Sequence, residues 1–280
     1  MPLSTFLAAF VLLHPASADN YRFVLYGDCR DGHAAHRKVV ALTMKENPAF
    51  VIQTGDLVAR GSQDELWKIY DDITGDMRKK IPVYPARGNH DFGGAGYDAR
   101  FTVPTESGTK QYYTFTRGRW RFICLDVDEH TAYEESSEQY SWLVSELDKA
   151  KGSKLDIAVF FHVPPYSIGS HGSNLEVRSA LCPLFEKYGV SLVMNGHDHL
   201  FYRTTRNGVV YIVSGGGGAP LHPGMPEKGA IYGDKWLDAN HLVVFDVDGD
   251  HMKGKALKAD GSAFDSFELT AKAPVAAGIR

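Results

Sequence analysis

Tyr21-Arg22-Phe23-Val24-Leu25-Tyr26-Gly27-Asp28 is the stretch on which the fold turns: a run of strand-forming residues that stops at a glycine and a carboxylate. The pattern recurs. Phe50–Thr54 ends at Gly55-Asp56, and Val83–Ala86 leads into Gly88-Asn89-His90-Asp91. Ile157–Phe161 ends at His162, and Leu192–Met194 leads into Gly196-His197-Asp198-His199. In open α/β sheets the carboxyl ends of the strands form the edge where ligands bind. One Asp at a strand end is ordinarily a turn or helix cap. Asp, Asn or His at the ends of five predicted strands is not explained by capping. Such oxygen and imidazole donors suit Mn, Fe or Zn rather than a soft-thiolate cluster. His197 and His199 are two apart, so in extended backbone they point to the same side.

Outward from these runs, Arg121–Leu125 and Val209–Val213 also read as short buried strands. Ala34–Glu46, Gln63–Ile73, Glu138–Lys149 and Leu175–Lys187 space their apolar residues by three or four, as helices do. Trp67 and Trp142 fall on those apolar faces and read as core. Alternation of strand and helix implies an α/β architecture with right-handed crossovers. The end of the chain differs: His241–Val247, His251–Leu257 and Phe264–Leu269 read as an antiparallel meander, turning at Asp248-Gly249-Asp250 and Asp260-Gly261. No internal repeat and no linker-like tract interrupts the chain, so residues 19–280 are expected to form one domain. Gly88–Gln111 and Ser214–Asn240 are long and weakly periodic, and such loops in compact domains are usually functional. The run Gly215-Gly216-Gly217-Gly218 suits either a hinge or a close approach of backbone to another group.

Composition sets outer limits. A chain of 280 residues with 44% hydrophobic and 23% charged residues is not disordered, collagen-like or a coiled coil. A net charge of −4 gives no overall field for nucleic acid or anionic lipid. No Lys/Arg cluster interleaves with aromatics, so no nucleic-acid partner is expected. There are 12 His against 3 Cys. Cys29, Cys124 and Cys182 cannot build a disulfide framework. Cys124 and Cys182 read as small core residues. Cys29 lies near the first carboxylate but has no obvious partner base. At the start of the chain, the apolar run Phe6–Leu13 followed by Ala16-Ser17-Ala18 has the form of a signal peptide over residues 1–18. It is too short to span a bilayer. The absence of Lys and Arg from residues 2–18 argues the other way. The expectation is an exported protein, periplasmic or secreted, without a membrane span.

Taken in order, Asp28, Gly55-Asp56, Gly88-Asn89-His90-Asp91, His162 and Gly196-His197-Asp198-His199 resemble the calcineurin-like metallophosphoesterase superfamily. The resemblance runs from about Tyr21 to Val213. His162-Val163-Pro164-Pro165-Tyr166, Gly169-Ser170-His171-Gly172-Ser173 and the Tyr202-Arg203 pair look most like the purple-acid-phosphatase branch. The resemblance implies a four-layer αββα sandwich, here with the C-terminal antiparallel meander. It also implies a centre of two divalent or trivalent metal ions (Mn, Fe or Zn). Carried over residue by residue, Asp56 bridges the ions. Asn89, His162 and His197 complete one, and Asp28 and His199 belong to the other. His90 donates to a phosphate oxygen with Asp91 orienting it, and His171 faces the substrate. The resemblance further implies in-line attack on phosphorus by a metal-bound hydroxide.

The chain also departs from that pattern. Many members carry a ligand His two residues after the first Asp, where this chain has Arg30. Purple acid phosphatases carry a Tyr three residues after the second Asp, where this chain has Ala59. By either pattern the first metal lacks a protein ligand. Water, or His33 reaching back from its loop, are ways to fill the place. Arg30 either holds a substrate phosphate bidentately or pairs with a nearby Asp. His14, His36, His130, His222, His241 and His251 match no motif and read as structural or surface residues. The function expected is hydrolysis of a small phosphoric ester, a monoester first. The rivals are a phosphodiesterase acting on nucleotides or lipid head groups, and a binding protein with a degenerate metal site.

Overall fold

The computed structural model describes residues 20–270, which leaves the signal-peptide expectation outside the described residues. Two sheets form its centre. The first holds β1 (Asn20–Tyr26), β2 (Phe50–Gln53), β3 (Val83–Pro85), β11 (His241–Asp248), β12 (His251–Lys258) and β13 (Ala263–Thr270), in the order β13-β12-β11-β1-β2-β3. The second holds β4 (Tyr113–Arg117), β5 (Trp120–Cys124), β6 (Asp156–Phe160), β7 (Leu192–Asn195), β8 (Phe201–Arg206), β9 (Val209–Ser214) and β10 (Lys235–Leu237), in the order β10-β8-β9-β7-β6-β5-β4. β1, β2 and β3 run parallel, as do β5, β6, β7 and β9. The expected meander is β11-β12-β13. It joins the first sheet through β11, antiparallel to β1.

Which residue faces which layer follows from the period of two. In the second sheet Phe122, Cys124, Ala158, Phe160, Leu192 and Met194 share a core with the first sheet. Their chain neighbours Ile123, Val159, Phe161 and Val193 share a core with Leu143 and Leu147 of α4 (Glu138–Gly152) and Leu181 and Phe185 of α5 (Leu175–Tyr188). α1 (His33–Glu46) and α2 (Asp64–Arg78) add Val39, Trp67 and Met77 to the core of the first sheet. Helices, sheet, sheet and helices make the αββα sandwich. Aromatic rings interlock between the sheets: Phe23 and Phe50 of the first meet Phe122 of the second edge-on, at 5.5 and 5.4 Å. Such packing contributes beyond the area it buries.

Short elements went unread in the sequence. α3 (Gly96–Arg100) lies in the first long loop and β10 in the second. β8 is interrupted by charge, because Arg203 pairs with Asp265 at 2.7 Å and Arg206 with Asp234 at 3.4 Å.

Candidate metal centre

The ends of β1, β2, β6, β7 and β9 are tied together by backbone. Gly27 N–H donates to Ser214 at 2.9 Å, Asp28 to Gly55 at 2.9 Å, and Gly196 to His162 at 3.0 Å. These bonds turn five strand ends into one floor. Asp28, Asp56 and His197 sit on it with φ of 56°, 53° and 72°. Left-handed backbone is costly for residues with a side chain, though Asp and His accept it better than most. The turn aims each side chain away from its strand and into the shared centre. Close backbone contact leaves no room for a methyl group at two of the glycines. A Cβ on Gly88 would stand 2.4 Å from Asp56 Oδ1, and one on Gly196 would stand 2.4 Å from Asp28 Oδ2. The run Gly215–Gly218 is a place of close approach, not a hinge: its glycines are buried, and Gly217 N–H donates to Gly27 at 2.8 Å.

Asp28 and Asp56 are 0% and 1% exposed, and with His162 they offer ligand atoms all within 4.8 Å of one another. Oδ1 of Asp56 lies 3.3 Å from His162 Nε2. That nitrogen is also 3.0 Å from Asn89 Oδ1 and 3.2 Å from His197 Nδ1. His199 Nε2 is 3.6 Å from Asp28 Oδ1. The imidazoles are oriented from behind. His162 Nδ1 meets the Thr54 carbonyl at 2.7 Å, His199 Nδ1 the Pro220 carbonyl at 2.6 Å, and His90 Nδ1 the Ala59 carbonyl at 2.9 Å. A carbonyl accepts only, so each Nδ1 carries a proton, and the Nε2 atoms of His162 and His199 are left to face Asp56 and Asp28. Backing of this kind is how metal-ligating histidines are held.

Charge gives the same picture. Burial, with His162 and His171 alongside, pushes His197 down to about 2, and burial pushes His199 down to about 4. Both rings are therefore neutral at pH 7, as ligands must be. Burial, then the Asp56 charge, pushes Asp28 well above the usual carboxylate range. Burial opposes ionisation of Asp56, but His162, His90 and Arg30 outweigh it and hold Asp56 below that range. Imidazole lone pairs facing buried carboxylates repel one another unless a cation or proton lies between. The donor set of Asp28, Asp56, Asn89, His162, His197 and His199 thus fits metal ions of the Mn, Fe or Zn type.

Other expected site residues fare differently. His90 stands beside the centre, with its amide 3.1 Å from Asp56 Oδ1 and its Nε2 3.9 Å from Asp56 Oδ2. Asp91 does not orient it; the Ala59 carbonyl does. Asp91 instead accepts the amides of Leu57, Val58 and Gly88 at 2.8, 3.1 and 2.9 Å. It clamps the two loops that carry Asp56 and Asn89. Burial, then the Asp56 charge, pushes Asp91 up to about 8. Arg30 is engaged by carboxylates, its Nε on Asp56 at 3.2 Å and its Nη1 on Asp31 at 2.6 Å. His33 opens α1 and is exposed. Cys29 is buried, and burial pushes its thiol well above the ordinary range, so it is no nucleophile.

His171 stands exposed at the rim, its ring centroid 4.3 Å from that of His197. Asp198 is fully buried and holds this loop, accepting the His171 amide at 3.0 Å and the Ser167 hydroxyl. His222, read as structural or surface, stacks on His199 at 4.2 Å and groups with His171 and Asp198. No spacing could have found it, because it lies in a long Gly/Pro loop that only folding brings to the centre. A cleft of about 260 Å³ opens beside the floor, walled by Asn89, Asp128, Val163, His171, Asn174 and His197 among others.

The family model for calcineurin-like phosphoesterases matches residues 21–201. The chain belongs to this family. Among curated relatives, purple acid phosphatase 15 of Arabidopsis thaliana is 32% identical over 173 residues, covering 54% of this chain and 32% of the plant protein. Tartrate-resistant acid phosphatase type 5 of Rattus norvegicus is 27% identical over 246 residues, covering 72% of this chain and 74% of that protein. The chain thus spans about a third of the plant relative's length. Among solved structures, purple acid phosphatase PPD1 from yellow lupin seeds superposes with a TM-score of 0.79 at 20% identity, covering 91% of this chain and 55% of that one. This calcineurin-like phosphoesterase is thus similar in sequence to purple acid phosphatases and in fold to one of them.

Proposed function

We propose that the chain is a metal-dependent hydrolase of small phosphoric monoesters. One observation carries the reading: two buried carboxylates are faced by the Nε2 atoms of His162 and His199, whose Nδ1 protons are held on backbone carbonyls. In this reading Asp56, Asn89, His162 and His197 would hold one ion, and Asp28, Asp56 and His199 would hold the other. When bound, such ions supply Lewis acidity and charge neutralisation for an in-line displacement at phosphorus by water.

The side chains do the rest. The substrate enters by the cleft at Asn89 and His171 with its phosphoryl group toward Asp28 and Asp56. His90 Nε2 holds a non-leaving phosphate oxygen. The Ala59 carbonyl at its Nδ1 fixes the ring for that contact. His171, at the rim, protonates the departing alkoxide. We also propose export, on the sequence of residues 1–18 alone. Among the described residues no helix is long and apolar enough to cross a membrane.

The test is turnover of a panel of phosphomonoesters and phosphodiesters by chelator-treated protein, before and after Mn, Fe or Zn is restored. Metal-dependent turnover of monoesters is expected. A preference for diesters would select the phosphodiesterase, and metal uptake without turnover the binding protein. His171→Ala should slow an alkyl phosphate about 10²–10⁴-fold, the usual contribution of a general acid, and an aryl phosphate far less. His90→Ala should slow both, since both share the non-leaving oxygens. Equal losses in His171→Ala would remove its role as acid.

A further inference from the structure

The two oxygens of Asp56 face different surroundings. On the Oδ1 side, Asp56 Oδ1, Asn89 Oδ1, His162 Nε2 and His197 Nδ1 converge through contacts of 3.3, 3.0 and 3.2 Å. Among the described residues no Lys or Arg is hydrogen-bonded to any of these four side-chain atoms. On the Oδ2 side the protein offers Asp28, Asp56 Oδ2 and His199 Nε2. Both Asp28 oxygens already accept the His197 amide, at 3.0 Å each. Asp56 Oδ2 accepts Arg30 Nε at 3.2 Å. The Arg30 side chain is 18% exposed, and its charge cannot be shed by losing a proton.

We infer that Arg30 makes the two metal positions unequal, an inference that rests on the two-metal reading above. The ion among Asp56, Asn89, His162 and His197 is held firmly. The ion among Asp28, Asp56 and His199 is held weakly, because it competes with the Arg30 guanidinium for Asp56 Oδ2. Two costs separate the positions. A cation entering the second must break a charge-assisted hydrogen bond, and it must lie close to a like charge. The first position borders no guanidinium: Asp56 Oδ1 accepts the uncharged His90 backbone amide at 3.1 Å, and there is one more protein donor. Asp31 shapes how Arg30 yields. It binds Nη1 at 2.6 Å from a half-exposed side chain, so the guanidinium can leave Asp56 and remain paired toward solvent. Arg30 therefore acts as a latch on the second position.

The test uses the full chain, stripped with chelator and titrated with Mn²⁺ and separately with Zn²⁺. Calorimetry reads the stepwise affinities, and elemental analysis after gel filtration reads the metal retained. The wild type should retain one equivalent, with a second step weaker by about tenfold or more, the size expected of a like charge at a partly screened contact. Arg30→Gln removes the charge, should retain two equivalents, and should close most of that gap. His199→Ala should abolish only the weak step, and Asn89→Ala should weaken the firm one. Two equally firm steps in the wild type, or an unchanged ratio of steps in Arg30→Gln, would overturn the inference. The wild-type titration decides by itself should a variant fail to fold. Failure to take up any metal would instead refute the functional reading.

Discussion

Asp91 separates two accounts of the same motif. If it oriented His90, its loss would lower turnover and leave stability alone. The structure gives it another task, with 2% of its surface exposed and three backbone amides within 3.1 Å of its carboxylate. Asp91→Ala orphans those amides. A buried donor left without a partner costs roughly 1–3 kcal/mol, and water entering the new cavity can satisfy one of them, so the expected loss is about 3–5 kcal/mol. Asp91→Asn is the sharper variant. Its amide can accept from Leu57 and Val58 only by turning its NH₂ toward the Gly88 donor, or the reverse. It should lose about 2 kcal/mol, between wild type and Ala. Urea unfolding followed by far-UV circular dichroism measures both, with chelator present so that metal binding does not mask the difference. Variants within about 0.5 kcal/mol of wild type, the size of an ordinary surface substitution, would refute the clamp and return Asp91 to His90.

Gly88→Ala should cost at least about 10²-fold in kcat/KM, since its Cβ would fall 2.3 Å from the Asp56 amide nitrogen and displace the proposed bridge, while far-UV dichroism stays unchanged; near-normal turnover would contradict this. His36 predicts a pH dependence: burial pushes it down to about 3, below its ordinary value of 6.5. The native chain thus stays unprotonated there while the unfolded chain takes up a proton, so stability is lost as pH falls from about 6.5 toward 3, by about 1.4 kcal/mol per pH unit. His36→Leu should flatten the fall in urea midpoint between pH 6.5 and 4.5, and an unchanged slope would show that His36 is protonated in the native state.

Much of the architecture was legible because local and global preferences agree. Val24, Ile52, Val159 and Val193 lie in short apolar runs with carboxyl, amide or imidazole residues just past their ends, and that length and flanking match buried parallel strands. The positions of Asp28, Asp56, Asn89, His162, His197 and His199 follow from where those strands stop. β8 was illegible because Arg203 and Arg206 break its alternation, and the acids that neutralise them lie far along the chain at Asp265 and Asp234.

What the sequence by itself determined is therefore the alternation of strand and helix, the closing meander and the set of donors along one rim, since each depends on residues a few positions apart; the four-layer sandwich was implied by the family resemblance. Partnership was decided by the tertiary structure alone. The family resemblance paired Asp91 with His90, but folding gave Asp91 the amides of Leu57, Val58 and Gly88 and gave His90 the carbonyl of Ala59. Arg30 found Asp56, 26 residues away, and His222 found the face of His199. Hydrogen bonds and charges act over a few ångströms of space. Separation along the chain carries no information about that distance once strands from two sheets end on a common floor.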